Sequence, residues 1–221
     1  MNVIEALNAR HSVRQFRSDP VSRDIITKIM TAAGRSPSWA DTQPWEVYLA
    51  AGETLERIRQ GFLTAYKEGR NAAPELARPV DWPAPLKMRM TESMAHRMAA
   101  MGLDRSDDKA REANTRRNYE LFGAPVVVYL CLNRSLTAWS IFDMGLLAQS
   151  IMLAAQEYGV DSIPAVSLLN YPEIIRKELA ISDDLMILFG IALGYAAEDD
   201  PVNKPRSLRR PVEDFLHIKG L

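Results

Sequence analysis

Two stretches of the chain, Ala124 to Leu132 and Leu185 to Leu193, are apolar at nearly every position and show no alternation. The first is bounded by Gly123-Ala124-Pro125 and Asn133 and the second is closed by Gly194, a pattern that predicts strands buried on both faces. Trp45, Val47 and Leu49 instead alternate with Glu46 and Tyr48, which predicts a strand ending near Gly52 with only the first set buried. Ile163 to Leu169 is predicted to be short and extended.

Helical spacing fills much of the remainder. Asn2 can cap a helix to Ala9 with Val3, Ile4 and Leu7 on one face. Ser22 caps a second helix, in which Ile25, Ile26, Ile29, Met30 and Ala33 recur before Gly34 stops it. Leu55, Ile58, Phe62 and Tyr66 predict a third, Thr137 to Tyr158 a long and largely apolar one ended by Gly159, and Pro172 to Leu179 a short one. Ser36 to Pro44 is predicted to be irregular, with two prolines among small polar residues. From Gly69 to Pro85 the register is lost among prolines, and two more helices follow. One carries Leu86, Met90, Met94, Met98 and Met101 on one side; the other, about Asp104 to Tyr119, is heavily charged. The Met stripe is read as core packing, although Met also suits a pocket that accepts varied shapes. The charged helix is read as a solvated face.

Strands separated by an excess of helices predict an α+β fold, one mixed sheet inside a helical shell. Residues 1–221 are read as a single domain in which 69–120 form an inserted arm or lid. The tail from 201 to 221 carries Val212, Phe215, Leu216 and Ile218 and is expected to dock, including on a second subunit.

Composition narrows the function classes. With 27 Lys and Arg against 28 Asp and Glu, the chain has no global field to attract nucleic acid or an acidic membrane, so any anion site must be local. The single cysteine, Cys131, lies within an apolar strand, which excludes an internal disulfide framework and favours a cytoplasmic location. No uncharged apolar window reaches the roughly 18 to 20 residues of a membrane span. The first ten residues lack a secretory h-region.

Candidate chemistry centres on two cationic clusters. Arg10-His11-Ser12-Val13-Arg14 offers two guanidinium forks and a hydroxyl, and Lys204-Pro205-Arg206 a second compact pair. Each alone also describes a solvated turn; together they are expected to meet on one anionic ligand. Walker loops, GxGxxG, GxSxG, HExxH and CxxC are all absent, and the three histidines are scattered, so a glycine-rich phosphate cradle, a catalytic triad and a metal centre have no support.

Arg10-His-Ser-Val-Arg-x-Phe16, Ser36-Pro-Ser-x-x-x-x-Gln43-Pro44-Trp45, Gly123-Ala-Pro125, Asp143-x-Gly145, Gly190-x-x-x-Gly194-Tyr195 and Lys204-Pro-Arg206 occur in this order. This succession resembles the nitroreductase family of FMN-dependent oxidoreductases, and Ser36-Pro-Ser-Trp39 with the long arm is most similar to its nitrobenzoate and nitroaromatic reductase branch. The resemblance implies a nitroreductase-like, mainly antiparallel sheet and a homodimer with FMN at the subunit interface. It also implies a C-terminal tail wrapped onto the partner, with NADH or NADPH as electron donor.

Residue by residue, it implies that Arg10 and Ser12, with Lys204 and Arg206, bind the FMN phosphate and that His11 lies along the ribityl chain. Arg14 would face the N1 and C2 carbonyl edge, a fixed cation where reduction places negative charge. Pro37, Ser38, Trp39 and Asp41 would contact the flavin of the other subunit. Family members commonly carry Asn at the Asp41 position; a carboxylate loses the amide donor, and a salt bridge to a nearby arginine is the structural alternative. Pro164, Ala165, Val166 and Ser167 match the loop whose backbone N–H, at Val166 or Ser167, points at N5. The implied mechanism is ping-pong two-electron transfer to a nitroaromatic or quinone, without an obligatory side-chain acid or base. Specificity would come from the arm and from Trp39. Alternatives on the same FMN cradle are reductive dehalogenation, enone reduction or flavin breakdown. A flavin-binding protein without turnover is the alternative from a different class.

Overall fold

Both continuous apolar stretches form central strands. The computed structural model describes residues 1–103 and 107–220. Its sheet comprises β1 (Trp45–Ala51), β2 (Val126–Asn133), β3 (Asp161–Pro164) and β4 (Leu185–Gly194) in the order β1-β2-β4-β3, with every ladder antiparallel. One isolated parallel bridge, Ser12 with Ser162, adds the N-terminal segment to the β3 edge.

The period of two along β2 divides the core. Val127, Tyr129 and Cys131 face a layer built on α3 (Gly52–Lys67) and α7 (Pro172–Leu179), where Leu55, Ile58, Phe62 and Ile175 are buried. Val126, Val128, Leu130 and Leu132 face α2 (Arg23–Ala33) and α6 (Ala138–Glu157), where Ile29, Met144 and Ile151 are buried. Helices therefore cover both faces, and α1 (Val3–Ala9), closed by a capping box between Asn2 and Glu5, packs on α6. Among the described residues α6 alone is long and apolar enough to cross a membrane by length and composition, but it carries Asp143 and lies against the sheet.

In four places the outcome differs from the pattern. The better-buried face of β1 is Tyr48 and Ala50, whereas Val47 and Leu49 are 38% and 36% exposed. β1 is an edge strand: α3 covers one face, while α2 and α6 reach only as far as Trp45 on the other. The extended segment ends at Pro164, and Val166–Leu169 forms a 3-10 turn that buries the successive residues Leu168 and Leu169. The Met stripe is not core: α4 (Ala84–Ala100) buries no residue fully, and Met90 and Met94 are exposed. α5 (Asp108–Tyr119) is solvated at Asp108, Lys109, Arg111, Glu112 and Arg116 as expected, but its other face, with Asn114, Arg117 and Asn118, lines a cavity.

The segment between α3 and β2, expected to form the arm, is tied to the sheet and its helices at both ends. At its root, Glu75 accepts hydrogen bonds from Arg176 Nε (2.7 Å), Arg134 (2.9 Å) and the Ile187 N–H (2.8 Å). At its return, Tyr119 stacks on Tyr66 with ring centroids 4.2 Å apart, and Arg117 pairs with Asp200 at 3.3 Å. Residues 207–220 lie exposed along the surface of their own chain.

Candidate active site

The segment that follows α1 is laced to the β3 edge. Val13 donates its N–H to the Ser162 carbonyl at 3.1 Å, and Val13 and Phe16 are buried. The same segment is tied to the distant cationic cluster by Asn203, itself buried. Its Oδ1 accepts from the Arg14 N–H (2.7 Å) and the Gln15 N–H (3.2 Å), and its Nδ2 donates to the carbonyls of Gln15 (2.7 Å) and Ala197 (2.9 Å). Arg206 then folds back, donating to the Asn203 carbonyl at 2.7 Å. The two clusters therefore share one framework.

Arg14 and Arg206 line a cleft of about 570 Å³ whose opposite wall comes from the arm, with Trp82, Met90, Met94 and Arg97. A second cavity of about 290 Å³ adjoins it and shares Arg14 and Arg97. Its other lining includes Asn118 and the turn Pro164 to Ser167. That turn rests on β4 because position 190 is glycine: a Cβ there would stand 2.6 Å from Leu168 Cβ. Ala165 donates to the Gly190 carbonyl at 3.1 Å, and Ser167 Oγ donates to Asn118 Oδ1 at 3.1 Å. The N–H groups of Val166 and Ser167 open the 3-10 turn, where helical geometry gives them no internal acceptor.

The electrostatics are one-sided. Burial, and then the charge of Arg97, lower the proton affinity of Arg14 to about 10, which still leaves it cationic at neutral pH. Burial likewise lowers Arg97, and burial followed by the charge of Arg209 lowers Arg10. Among the described residues the only side-chain hydrogen bond of Arg14 goes to the Ser12 carbonyl at 3.0 Å, and Arg97 Nε is buried without a partner. Among the described residues no carboxylate pairs with Arg10, Arg14, Arg89, Arg97, Arg206 or Arg209, and neither cavity is lined by an acid. Desolvated cations held together without a counter-ion form a site that an anion stabilises.

The remaining candidates are placed differently. His11 Nδ1 lies 3.0 Å from the Ala9 carbonyl and Lys204 is exposed; neither they nor Arg10 and Ser12 line the two cavities, and of the six candidates in the two cationic clusters only Arg14 and Arg206 do. Pro37, Ser38, Trp39 and Asp41 also line neither of the cavities that Arg14 lines. Trp39, 71% exposed, donates its N–H to Asp143 of α6 at 3.3 Å. Asp41 accepts from Gln43 Nε2 at 3.0 Å, with no arginine paired to it among the described residues. Ala40, Asp41 and Gln43 hold φ of 50°, 55° and 45°, a left-handed conformation uncommon outside glycine. Near this turn lie the exposed side chains of Phe142 and Trp139 on α6.

Comparison with known proteins shows the family. Residues 7–195 match the model of the nitroreductase family. The chain belongs to that family. It is 30% identical to 4-nitrobenzoate reductase of Pseudomonas putida, over 96% of this chain and 93% of that protein. It is 32% identical to nitrobenzene nitroreductase of Ectopseudomonas oleovorans, over 96% and 94%. The crystal structure of the FMN and NADPH-dependent nitroreductase NfnB from sphigopyxis sp. strain HMH superposes with a TM-score of 0.94 at 31% identity, covering 100% of each chain.

The sequence reading missed Asn203, Arg97 and Asn118. An isolated Asn or Arg has no periodicity of its own. The available signals were the position of Asn203 directly before Lys204-Pro205-Arg206 and the spacing of Arg89, Ser93 and Arg97 at successive turns of α4.

Proposed function

We propose that this chain is an FMN-dependent oxidoreductase that takes two electrons from NADH or NADPH and passes them to a nitroaromatic or quinone acceptor by a ping-pong mechanism. The observation that carries the reading is Arg14: a desolvated cation without a carboxylate partner, in a cavity shared with the free N–H groups at the start of the 166–169 turn. FMN fits the residues present, because it brings a phosphate dianion and a ring edge that becomes negative on reduction to a site rich in uncompensated guanidinium groups. When bound, FMN supplies reversible two-electron transfer.

The chain's own residues have these roles in the proposal. Arg10, Ser12, Lys204 and Arg206 hold the phosphate, and His11 borders the ribityl chain. Arg14 offsets the charge of the reduced ring at its N1 and C2 carbonyl edge. The backbone N–H of Val166 or Ser167 faces N5, and Gly190 keeps that turn seated. In the first reductive step an Ar–NO2 group, one NAD(P)H and one proton give Ar–NO, NAD(P)+ and water. No side-chain acid is required, and among the described residues no Asp or Glu lines either cavity.

The functional unit in this reading is a homodimer, with residues 69–120 as the lid of one domain. Exposed Trp39, Trp139 and Phe142, the outward Val3 and Ile4 of α1, and an apolar tail lying off its own core support a second copy as their cover. Pro37, Ser38, Trp39 and Asp41 would then approach the partner's FMN. Lone buried Cys131 suits the reducing cytoplasm.

The test is to purify the protein, measure its mass in solution and its visible spectrum, and titrate it anaerobically with NADPH and then 4-nitrobenzoate. A yellow dimer that bleaches and then reoxidises is expected. A colourless protein that takes up no FMN overturns the reading.

A further inference from the structure

The arm helix α4 turns one face into the cleft, and that face is both apolar and cationic. Leu86, Met90 and Met94, with Trp82 ahead of the helix, make a polarisable wall suited to an aromatic ring. Arg89, His96 and Arg97 stand on the same face at helical spacing. The phosphate and ring-edge roles proposed above use Arg10, Ser12, Arg14, Lys204 and Arg206 and leave this second set unassigned. Arg89 pairs with no acid among the described residues, and Arg97 keeps a buried Nε without any acceptor. A guanidinium in that state matches a carboxylate, which it can grip with two parallel hydrogen bonds.

We infer that α4 carries an acceptor-binding subsite that selects aromatic acceptors bearing a carboxylate, with Arg97 as its main ligand and Arg89 as its outer one. The inference rests on the proposed FMN-dependent reading and names its substrate class. The two relatives described above are named for a nitrobenzoate and for nitrobenzene, an acceptor with a carboxylate and one without, which is the pair the test compares. An apolar wall beside Arg97 favours the acceptor over the donor's phosphates as the source of the anion, since a phosphate gains nothing from Trp82, Met90 and Met94.

Unreactive benzoate, titrated into the oxidised holoenzyme and followed by the flavin absorbance, tests this without turnover. Benzoate should perturb the spectrum, and Arg97→Gln should weaken its binding roughly tenfold to a hundredfold, the value of a lost charge-assisted hydrogen bond. Arg97→Lys should recover part of that loss, and Arg89→Gln should show a smaller one. In turnover, kcat/KM for 4-nitrobenzoate should exceed that for nitrobenzene, and the ratio should collapse in Arg97→Gln. Equal wild-type use of the two acceptors, or benzoate binding unchanged in Arg97→Gln, would overturn the inference. So would a variant slowed only in reduction by NADPH relative to NADH, which would assign the charges to the donor's phosphate. A protein that binds FMN and bleaches with NADPH but gives any of these results overturns this inference alone; one that binds no FMN overturns both.

Discussion

The side chain of Asn203 accepts a 2.7 Å hydrogen bond from the backbone N–H of Arg14, across 189 residues of sequence. With its bonds to Gln15 and Ala197 it makes one amide the joint between two cationic clusters. Asn203→Ala would leave these backbone groups without their partner in a buried setting, at a cost of about 1–3 kcal/mol. Asn203→Asp keeps the acceptor but turns a carboxylate toward the carbonyls of Gln15 and Ala197. Both variants should melt lower and bind FMN more weakly, as measured by thermal unfolding and by fluorescence titration of the apoprotein. Unchanged FMN affinity in a destabilised variant would separate the joint from the site.

Arg14 should behave in the opposite way. Its charge is desolvated and lies near that of Arg97, so the apoprotein holds it at a cost that an anion relieves. The sign follows from linkage: folding lowers its proton affinity, so at neutral pH, where both states are charged, the group opposes folding. Relief comes only as pH rises past about 10, where the folded state begins to release the proton that the unfolded state still binds. Arg14→Met should therefore raise the melting temperature of the apoprotein and reduce the increase that FMN gives the wild type. It should also lower the reduction potential of whatever FMN it retains, read by dye equilibration. A variant less stable as apoprotein would show that Arg14 packs rather than repels.

Which parts were legible follows from how far each signal reaches. β2 was readable because burial on both faces leaves a continuous apolar run. Asn2 and Ser22 were readable as caps because a cap acts within three residues, and both accept the expected N–H, from Glu5 and Ile25. The face of β1 was not, because whether Val47 or Tyr48 is covered depends on its place at the sheet edge, which periodicity does not encode. The Met stripe had the right spacing and the wrong destination: an apolar helix face can meet a core or a cleft, and Met90 alone does not say which. Arg10, Ser12 and Arg14 stood out as a cluster, while Asn203 became visible only through a contact that no local window contains.

Gly190 tests the turn that closes the second cavity. A methyl group at this position would stand 2.6 Å from Leu168 Cβ and 3.2 Å from its Cδ1, with the strand fixed on both sides by β2 and β3. Because Leu168 is fully buried, the 3-10 turn rather than the leucine tip must move. Gly190→Ala should cost about 1–3 kcal/mol in overpacking. It should also displace the N–H groups of Val166 and Ser167, so the flavin spectrum should change even where FMN is retained. A wild-type spectrum in a folded Gly190→Ala variant would remove the 166–169 turn from the ring environment.

Glu75 offers the strongest stability prediction outside the site. Its carboxylate, 13% exposed, holds Arg176 through Nε and a terminal nitrogen at 2.7 and 2.8 Å, while Arg176 also donates to the carbonyls of Ser182 and Leu185. The second partner, Arg134, is 43% exposed and adds little by itself. Glu75→Gln keeps the shape, removes the charge and leaves a largely buried guanidinium compensated by carbonyls and by the exposed Asp183 carboxylate at 3.9 Å. Loss of one partner from a buried pair costs about 3–5 kcal/mol, and the partial exposure here brings the expectation to about 2–3 kcal/mol in denaturant unfolding. Glu75 also fixes the root of the arm beside Ile187, so the variant should be cleaved faster by protease between residues 69 and 82 while its folded core persists. Equal stability together with equal cleavage would show that Arg176 is held well enough without Glu75, by its carbonyls and Asp183, and that the arm is anchored by Tyr119 and Arg117 at its other end.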